Sequence, residues 1–271
     1  MFRPGASVLR SVSMPADRSL APREYGAYAE LAFPLATGFL AGGWSMAGPG
    51  FAVAVIAGFL LSEPLAVVAG ARGERAHREA TPRARRRVAV LSAVGLAAAA
   101  FALLSAPPAA RLAALVPAGL ALALLPALAR GRHKTLVGEL LVAAALAGMA
   151  LPVGIAGGMR PPVATLVWGI WLSTFWLATL TVHAIKARFK PALGAPWTLW
   201  AAPGFALGVV ALAVVGAAAG RIGPRFALAV APAAAVAGTA LAARVTPRRL
   251  RRVGWSLVAA NLATFGLLVL S

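Results

Sequence analysis

The sequence predicts an all-α, polytopic transmembrane helix bundle of about nine spans, with the N-terminus cytoplasmic and the C-terminus outside. Three observations carry this expectation. The 271 residues are 61% apolar and only 12% charged, whereas soluble domains average roughly 25% charged residues. Long apolar runs follow one another along the chain, and a protein of this size cannot bury several such helices in one soluble core. Finally, the basic residues fall between the runs with a regular alternation.

The first 22 residues hold Arg3, Arg10 and Arg18 but no apolar segment with a small-residue cleavage site. They read as a flexible basic cytosolic tail and not as a cleaved leader. Residues 23–271 then form a single transmembrane domain. A spanning helix needs ~20 mostly apolar residues, and the candidates are 27–44, 49–70, 88–106, 110–129, 136–157, 162–185, 198–219, 225–243 and 253–270. The third and fourth are separated by the Ser105–Pro108 turn, the seventh and eighth by Gly220–Pro224. The prolines Pro34, Pro64, Pro152, Pro203 and Pro232 are candidate kink sites. The many glycines and alanines would allow close helix approach, although high-GC coding also enriches both, so they carry no functional weight.

The charges set the orientation. Lys and Arg stay in short cytoplasmic loops. With the N-terminus inside, 22 of the 26 basic residues fall in residues 1–23 and in segments 71–87, 130–135, 186–190 and 244–252; only Arg111, Arg160, Arg221 and Arg225 lie on the other side. An error of one span would break this alternation. The expected location is the bacterial cytoplasmic membrane, multi-pass. The net charge of +19 also suits nucleic-acid binding, but its confinement to inter-span segments is explained by topology, and no nucleic-acid partner is expected. With no cysteine there are no disulfides, thiolate nucleophiles or Cys-based metal sites, and His77, His133 and His183 have no metal-ligand spacing.

Seven acidic residues remain. Asp17, Glu74 and Glu79 lie in the tail or the first inner loop, as solvated partners for arginine. Glu24, Glu30, Glu63 and Glu139 lie in or near spans. Spans one and five begin at the cytoplasmic face, which places Glu24, Tyr25, Tyr28, Glu30 and Glu139 near it. Spans two and six end there, which places Glu63 and His183 at a similar depth. Above them runs a rim of Arg23, Arg132, Lys134, Lys186, Arg188 and Lys190. Ionisable groups at membrane depth face a bundle interior or a water-filled cavity, so a polar, cytosol-facing cavity is expected. Each residue also has a plainer reading. Glu63 would pair with an arginine and Glu139 with Lys134 or Arg132, Glu24 would suit the first turn of a helix, and His183 would anchor the interface. Trp197 and Trp200 fit an interfacial belt, and Trp171 and Trp176 either line a pocket or face lipid.

Pro22-Arg23-Glu24-Tyr25-Gly26-Ala27-Tyr28, followed by Leu31 and Pro34, resembles the opening signature of the YwiC-like family of bacterial integral membrane proteins. In that family the usual form has histidine where Tyr25 stands and tryptophan where Tyr28 stands. Glu63-Pro64, the stretch from Lys134 to Glu139 and the stretch from Thr179 to Arg188 are similar to the family as well. The resemblance implies a multi-pass membrane protein and carries no reaction. Tyrosine cannot serve as a general base near neutral pH as histidine does, so no acid–base role is carried over to Tyr25.

The layout also resembles UbiA-like intramembrane prenyltransferases. That resemblance implies a prenyl diphosphate held through Mg²⁺ by two aspartate-rich motifs. The corresponding ends of spans two and six offer Glu63 and basic residues, while the one aspartate is Asp17. Mg²⁺ needs hard oxygen ligands, so a Mg²⁺ cofactor has little to hold it here.

Three functions follow. The first is a site that binds or modifies an isoprenoid, lipid or quinone-like molecule. Glu63, Glu139 and His183 would be its candidate catalytic groups, and Arg23, Glu24, Tyr25, Tyr28, Glu30, Arg72, Arg75, Arg78, Lys134 and Arg188 its candidate ligand contacts. Arginines would meet phosphate directly. The second is a small-solute transporter, for which no internal repeat is found. The third is a noncatalytic scaffold or assembly factor, which leaves the acids in apolar helices without a reason. Membrane lipid is an expected partner in all three.

Overall fold

The computed structural model describes residues 20–22, 25–130, 134–189 and 196–270. All regular structure within them is helical: α1 (Tyr25–Gly42), α2 (Ala47–Val68), α3 (Glu74–Ser105), α4 (Pro108–Ala129), α5 (Leu136–Ala147), α6 (Ala150–Ala156), α7 (Pro161–Phe189), α8 (Thr198–Ala218), α9 (Pro224–Leu228), α10 (Ala231–Ala242) and α11 (Leu250–Val269), the last entered through a short 3₁₀ turn at Pro247–Arg249. Helices are what the bilayer demands, because each satisfies its own backbone polar groups without water.

Among the described residues, eight segments are long and apolar enough to cross a membrane, two of them composite: Leu136–Ala156, joining α5 and α6, and Pro224–Ala242, joining α9 and α10. The ninth expected span is α1, whose 18 residues would extend ~27 Å. Tyr25, Tyr28, Glu30 and Pro34 interrupt its apolar sequence, yet Leu31, Pro34, Leu35 and Thr37 are buried in the bundle.

One span is central. Of the apolar window of Leu136–Ala156, 72% is buried, against 6% for α3 and 6% for α8. The α5–α6 span touches α1, α4 and α7, whereas α3 packs chiefly along α2 as a hairpin. The outward faces of α3, α4 and α8 carry exposed Leu, Val and Phe side chains, such as Leu96, Leu104, Leu122, Leu207 and Val214, as lipid requires. Trp197 and Trp200 are likewise exposed. Trp171 instead lies fully inside: its ring stacks on Phe33 at 5.7 Å and meets Phe175 at 5.4 Å, and its Nε1 donates to Thr37 Oγ1 at 3.2 Å. It is enclosed by the bundle and does not face lipid.

Glycines allow the closest contact. Gly38 and Gly42, four residues apart on α1, face Val153, Gly154 and Gly157 around α6. A Cβ on Gly42 would lie 2.5 Å from the Gly154 carbonyl oxygen. This small-residue seam lets two backbones approach where dispersion, with no hydrophobic drive, must hold helices together.

The two composite spans break for local reasons. Pro152 has no N–H to give the Gly148 carbonyl four residues back. Leu151 N supplies it at 3.1 Å instead, as a tighter turn between α5 and α6. Pro232, in the first turn of α10, follows the second break. There the Ala229 carbonyl is met by buried Thr264 Oγ1 of α11 at 2.7 Å. Thr264→Val keeps the shape and removes this donor, so it is expected to lower stability by about 1 kcal/mol. Thermal unfolding in mild detergent, compared with Thr165→Val on the exposed start of α7, checks it.

The basic stretch expected as an inner loop at 71–87 is mostly helix. α3 begins at Glu74 and runs 32 residues, ~48 Å, well beyond a ~30 Å hydrocarbon core. Its first turns carry the arginines out of the apolar region on a continuous helix. There Glu79 pairs with Arg75 at 2.8 Å and Glu74 with Arg78 at 3.9 Å, both with i,i+4 spacing. The hydrogen bond from Arg75 to Glu79 raises the already high pKa of the guanidinium.

Candidate functional site

The end of the bundle that receives the start of α3 also receives the start of α5 and the end of α7. Thr135 caps α5, accepting from Gly138 N at 3.3 Å. This cap sets the helix to begin at Leu136 and puts Glu139 in its first turn, where the helix dipole favours a carboxylate. On α7, His183 lies between buried Thr181 and buried Ala184 and Ile185, near the last turns of the helix. Leu136, Leu180, Ala184 and Ala202 form a small apolar cluster around this crossing. Within it His183 Nε2 lies 2.8 Å from Glu139 Oε2.

The side chains are 9% exposed for His183 and 36% for Glu139. The imidazole is therefore enclosed, and the carboxylate reaches outward. A carboxylate in its ionised form only accepts, so the tautomer that fits this contact carries its proton on Nε2 and leaves Nδ1 as the second ring nitrogen. A histidine oriented by a carboxylate in this way can serve as a general base or proton carrier. Trp176 Nε1 donates to the Leu140 carbonyl at 2.9 Å, tying α7 to α5 one residue beyond Glu139.

Glu63 belongs to a second pair. Gly70 and Gly73, both with positive φ, turn the chain after α2 so that Arg72 returns along it. Its guanidinium forks onto the Glu63 carboxylate, with Nε donating to Oε2 at 2.9 Å and Nη2 to Oε1. The Glu63 and Arg72 side chains are 18% and 28% exposed. Among the described residues no direct hydrogen bond or ion pair joins this pair to His183 and Glu139. Glu63 with Arg72 and Glu139 with His183 thus form two pairs.

The other candidates are placed as follows. Arg75 and Arg78 are engaged by Glu79 and Glu74 on the extension of α3. Arg188 Nη1 donates to the Leu241 carbonyl at 3.1 Å, a cation at the C-terminal end of α10. Tyr28 donates to the Pro22 carbonyl at 3.0 Å and sets its ring edge-on to Phe59 at 5.0 Å. Glu30 is half-buried on α1, Lys134 is exposed just before α5, and Tyr25 begins α1. Arg23, Glu24, Arg132, Lys190, Asp17 and His133, and with them the 1–19 part of the tail, lie outside the described residues. Among the described residues no three His, Asp or Glu side chains cluster closely enough to hold a metal ion.

Sequence reasoning passed over two polar groups inside the bundle. Thr181 Oγ1 and Asn261 Oδ1 are buried and, among the described residues, have no hydrogen-bond partner. Asn261 is the chain's one asparagine, and an amide within an apolar span is itself a signal, since membrane helices use such groups to bond across interfaces.

Residues 21–154 match the model of the family described as YwiC-like protein. The match runs from just before α1 into α6 and takes in Glu63, Arg72 and Glu139, while His183 lies beyond it. No curated protein and no solved structure matches the chain. The likeness of layout to UbiA-like prenyltransferases therefore stands on the sequence pattern alone.

Proposed function

We propose that this is a nine-span YwiC-like protein of the bacterial cytoplasmic membrane, N-terminus in the cytosol, whose Glu139–His183 pair is the chemical centre of a cytosol-facing site for an amphiphile. The ligand class is an isoprenoid, lipid or quinone-like molecule with a polar head. The observation that carries the reading is the pair's position. Glu139 is the one carboxylate on the most enclosed span, and it holds an enclosed imidazole at 2.8 Å. A purely structural bundle gains little from two ionisable groups there, since desolvation offsets their attraction. The ninth crossing is supported by the burial of α1 within the bundle, and the orientation by the arginines gathered on α3, the α7 end and the start of α11.

In this reading Glu139 orients the ring, and His183 Nδ1 takes or delivers a proton at the ligand head. Glu63 and Arg72 hold the α2–α3 turn. The test is native mass spectrometry of protein purified gently from its host membrane, with identification of any retained small molecule. An isoprenoid, lipid-like or quinone-like species is expected with the unaltered protein and with Glu63→Gln, and reduced about tenfold with Glu139→Gln, the loss of one charge-assisted hydrogen bond. Bulk phospholipid alone, unchanged by Glu139→Gln, would overturn the reading.

A second reading, small-solute transport, is favoured by the two interrupted spans, at Gly148–Met149 and Ala229–Val230, and by Thr181 Oγ1 and Asn261 Oδ1, buried without a hydrogen-bond partner among the described residues. Broken helices and intramembrane polar groups mark transporter sites. Solute flux into proteoliposomes that requires His183 would select it.

A further inference from the structure

We propose that the end of the bundle opposite His183 carries a second site, a cleft that binds the headgroup of an anionic phospholipid. Four basic residues lie at that end: Arg111, Arg160, Arg221 and Arg225. Arg111 is accounted for by the fold, since its guanidinium donates to the Ala106 carbonyl at 2.8 Å and the Leu104 carbonyl at 3.3 Å, closing the α3–α4 turn. The other three converge on one place. Arg160, just before α7, and Arg221, in the α8–α9 turn, line a cleft of about 350 Å³. Arg225 flanks it, with its guanidinium 4.6 Å over the Phe226 ring that forms part of the wall.

Positive charge on this side of a membrane protein runs against the usual asymmetry, and three exposed arginines around one cleft favour an anion there. Among the described residues no Asp or Glu side chain pairs with Arg160, Arg221 or Arg225. No Asp or Glu occurs after Glu139, and Glu139 sits at the other end of the bundle. The rest of the cleft is apolar: Val163 and Leu166 on the first turns of α7, with Ile222 and Phe226 from the α8–α9 turn and α9. Ile222 is seated against Gly216, where a Cβ would come within 3.0 Å of its Cδ1, so the turn is held against α8.

A cationic mouth above an apolar wall at a helix-end turn matches a lipid, with the phosphate on the arginines and the first acyl carbons along Val163, Leu166 and Phe226. Arginine's fork suits phosphate oxygens, and the volume lies at the lower end of the range for small-molecule sites.

The test uses the full chain in mild detergent with equimolar phosphatidylglycerol and phosphatidylcholine, and native mass spectrometry counts the retained lipid. Preferential retention of phosphatidylglycerol is expected, reduced about tenfold in Arg160→Gln/Arg221→Gln. The preference should survive in Arg160→Lys/Arg221→Lys, which keeps the charge, and in the basic-end control Arg251→Gln/Arg252→Gln. Thermal midpoints of all variants establish that they are folded. Equal retention of the two lipids, or a preference untouched by the glutamine pair, would overturn the proposal. So would displacement of the lipid by glycerol phosphate at equal concentration, because that would make the site one for a soluble anion.

Discussion

Gly42→Ala is expected to lower the thermal midpoint of the purified protein substantially, whereas Gly58→Ala and Gly169→Ala leave it unchanged or raise it. A Cβ at Gly42 would meet the Gly154 carbonyl oxygen at 2.5 Å and its Cα at 2.8 Å. These are backbone atoms of α6, and no rotamer change removes them. α1 must then move away from the most enclosed span, losing the dispersion contacts along Gly38, Val153 and Gly157 together. Overpacking of this kind costs about 1–3 kcal/mol or more. Gly58 and Gly169 sit in helices with nothing within 4 Å of the added carbon. There alanine only improves helix propensity, by up to about 1 kcal/mol. The three substitutions are chemically identical, so propensity alone predicts one common sign. A similar shift for all three would show that the α1–α6 seam is not close-packed in the membrane.

Most of the bundle can be read from the sequence because its solvent is so selective. Length and apolarity give nine expected crossings, and eight described segments are long and apolar enough to cross a membrane. What escapes is whatever depends on a partner far along the chain. Depth placed Glu139 and His183 at one level, but the choice between His183, Lys134 and Arg132 for Glu139 depends on which face of α7 turns to α5, and an all-round apolar helix does not advertise its faces. Trp171 shows the same blindness: its depth was clear, its burial against Phe33 and Thr37 was not. The α3 extension was obscured for the opposite reason. Its arginines look like a loop, although the Glu74–Arg78 and Arg75–Glu79 spacing already spelled out a helix. Gly38 and Gly42, a Gly-x-x-x-Gly pair, do not stand out from the rest of a glycine-rich composition. The breaks in the composite spans leave too little polarity to interrupt an apolar run, and only Pro152 and Pro232 hint at them.

The second large effect concerns His183 and Glu139 taken together. Glu139→Leu leaves an enclosed imidazole without its acceptor, and His183→Leu leaves a carboxylate beside apolar residues. A single break in a fully buried pair costs about 3–5 kcal/mol. With the Glu139 side chain 36% exposed, solvent screening reduces this to about 1–2 kcal/mol for either substitution. The double variant Glu139→Leu/His183→Leu removes both polar groups from a crossing already lined by Leu136, Leu180 and Ala184. It is expected to recover most of the loss, and a coupling of at least about 1 kcal/mol in a double-mutant cycle is the quantity to measure. The same double variant should fail to retain the amphiphile proposed for this site. Recovered stability with lost ligand would mean that the pair is kept for its chemistry, since leucine serves the fold as well. Additive losses with no recovery would mean that the two side chains are not energetically coupled, and the proton-handling role assigned to a His183 oriented by Glu139 would fall with the pair.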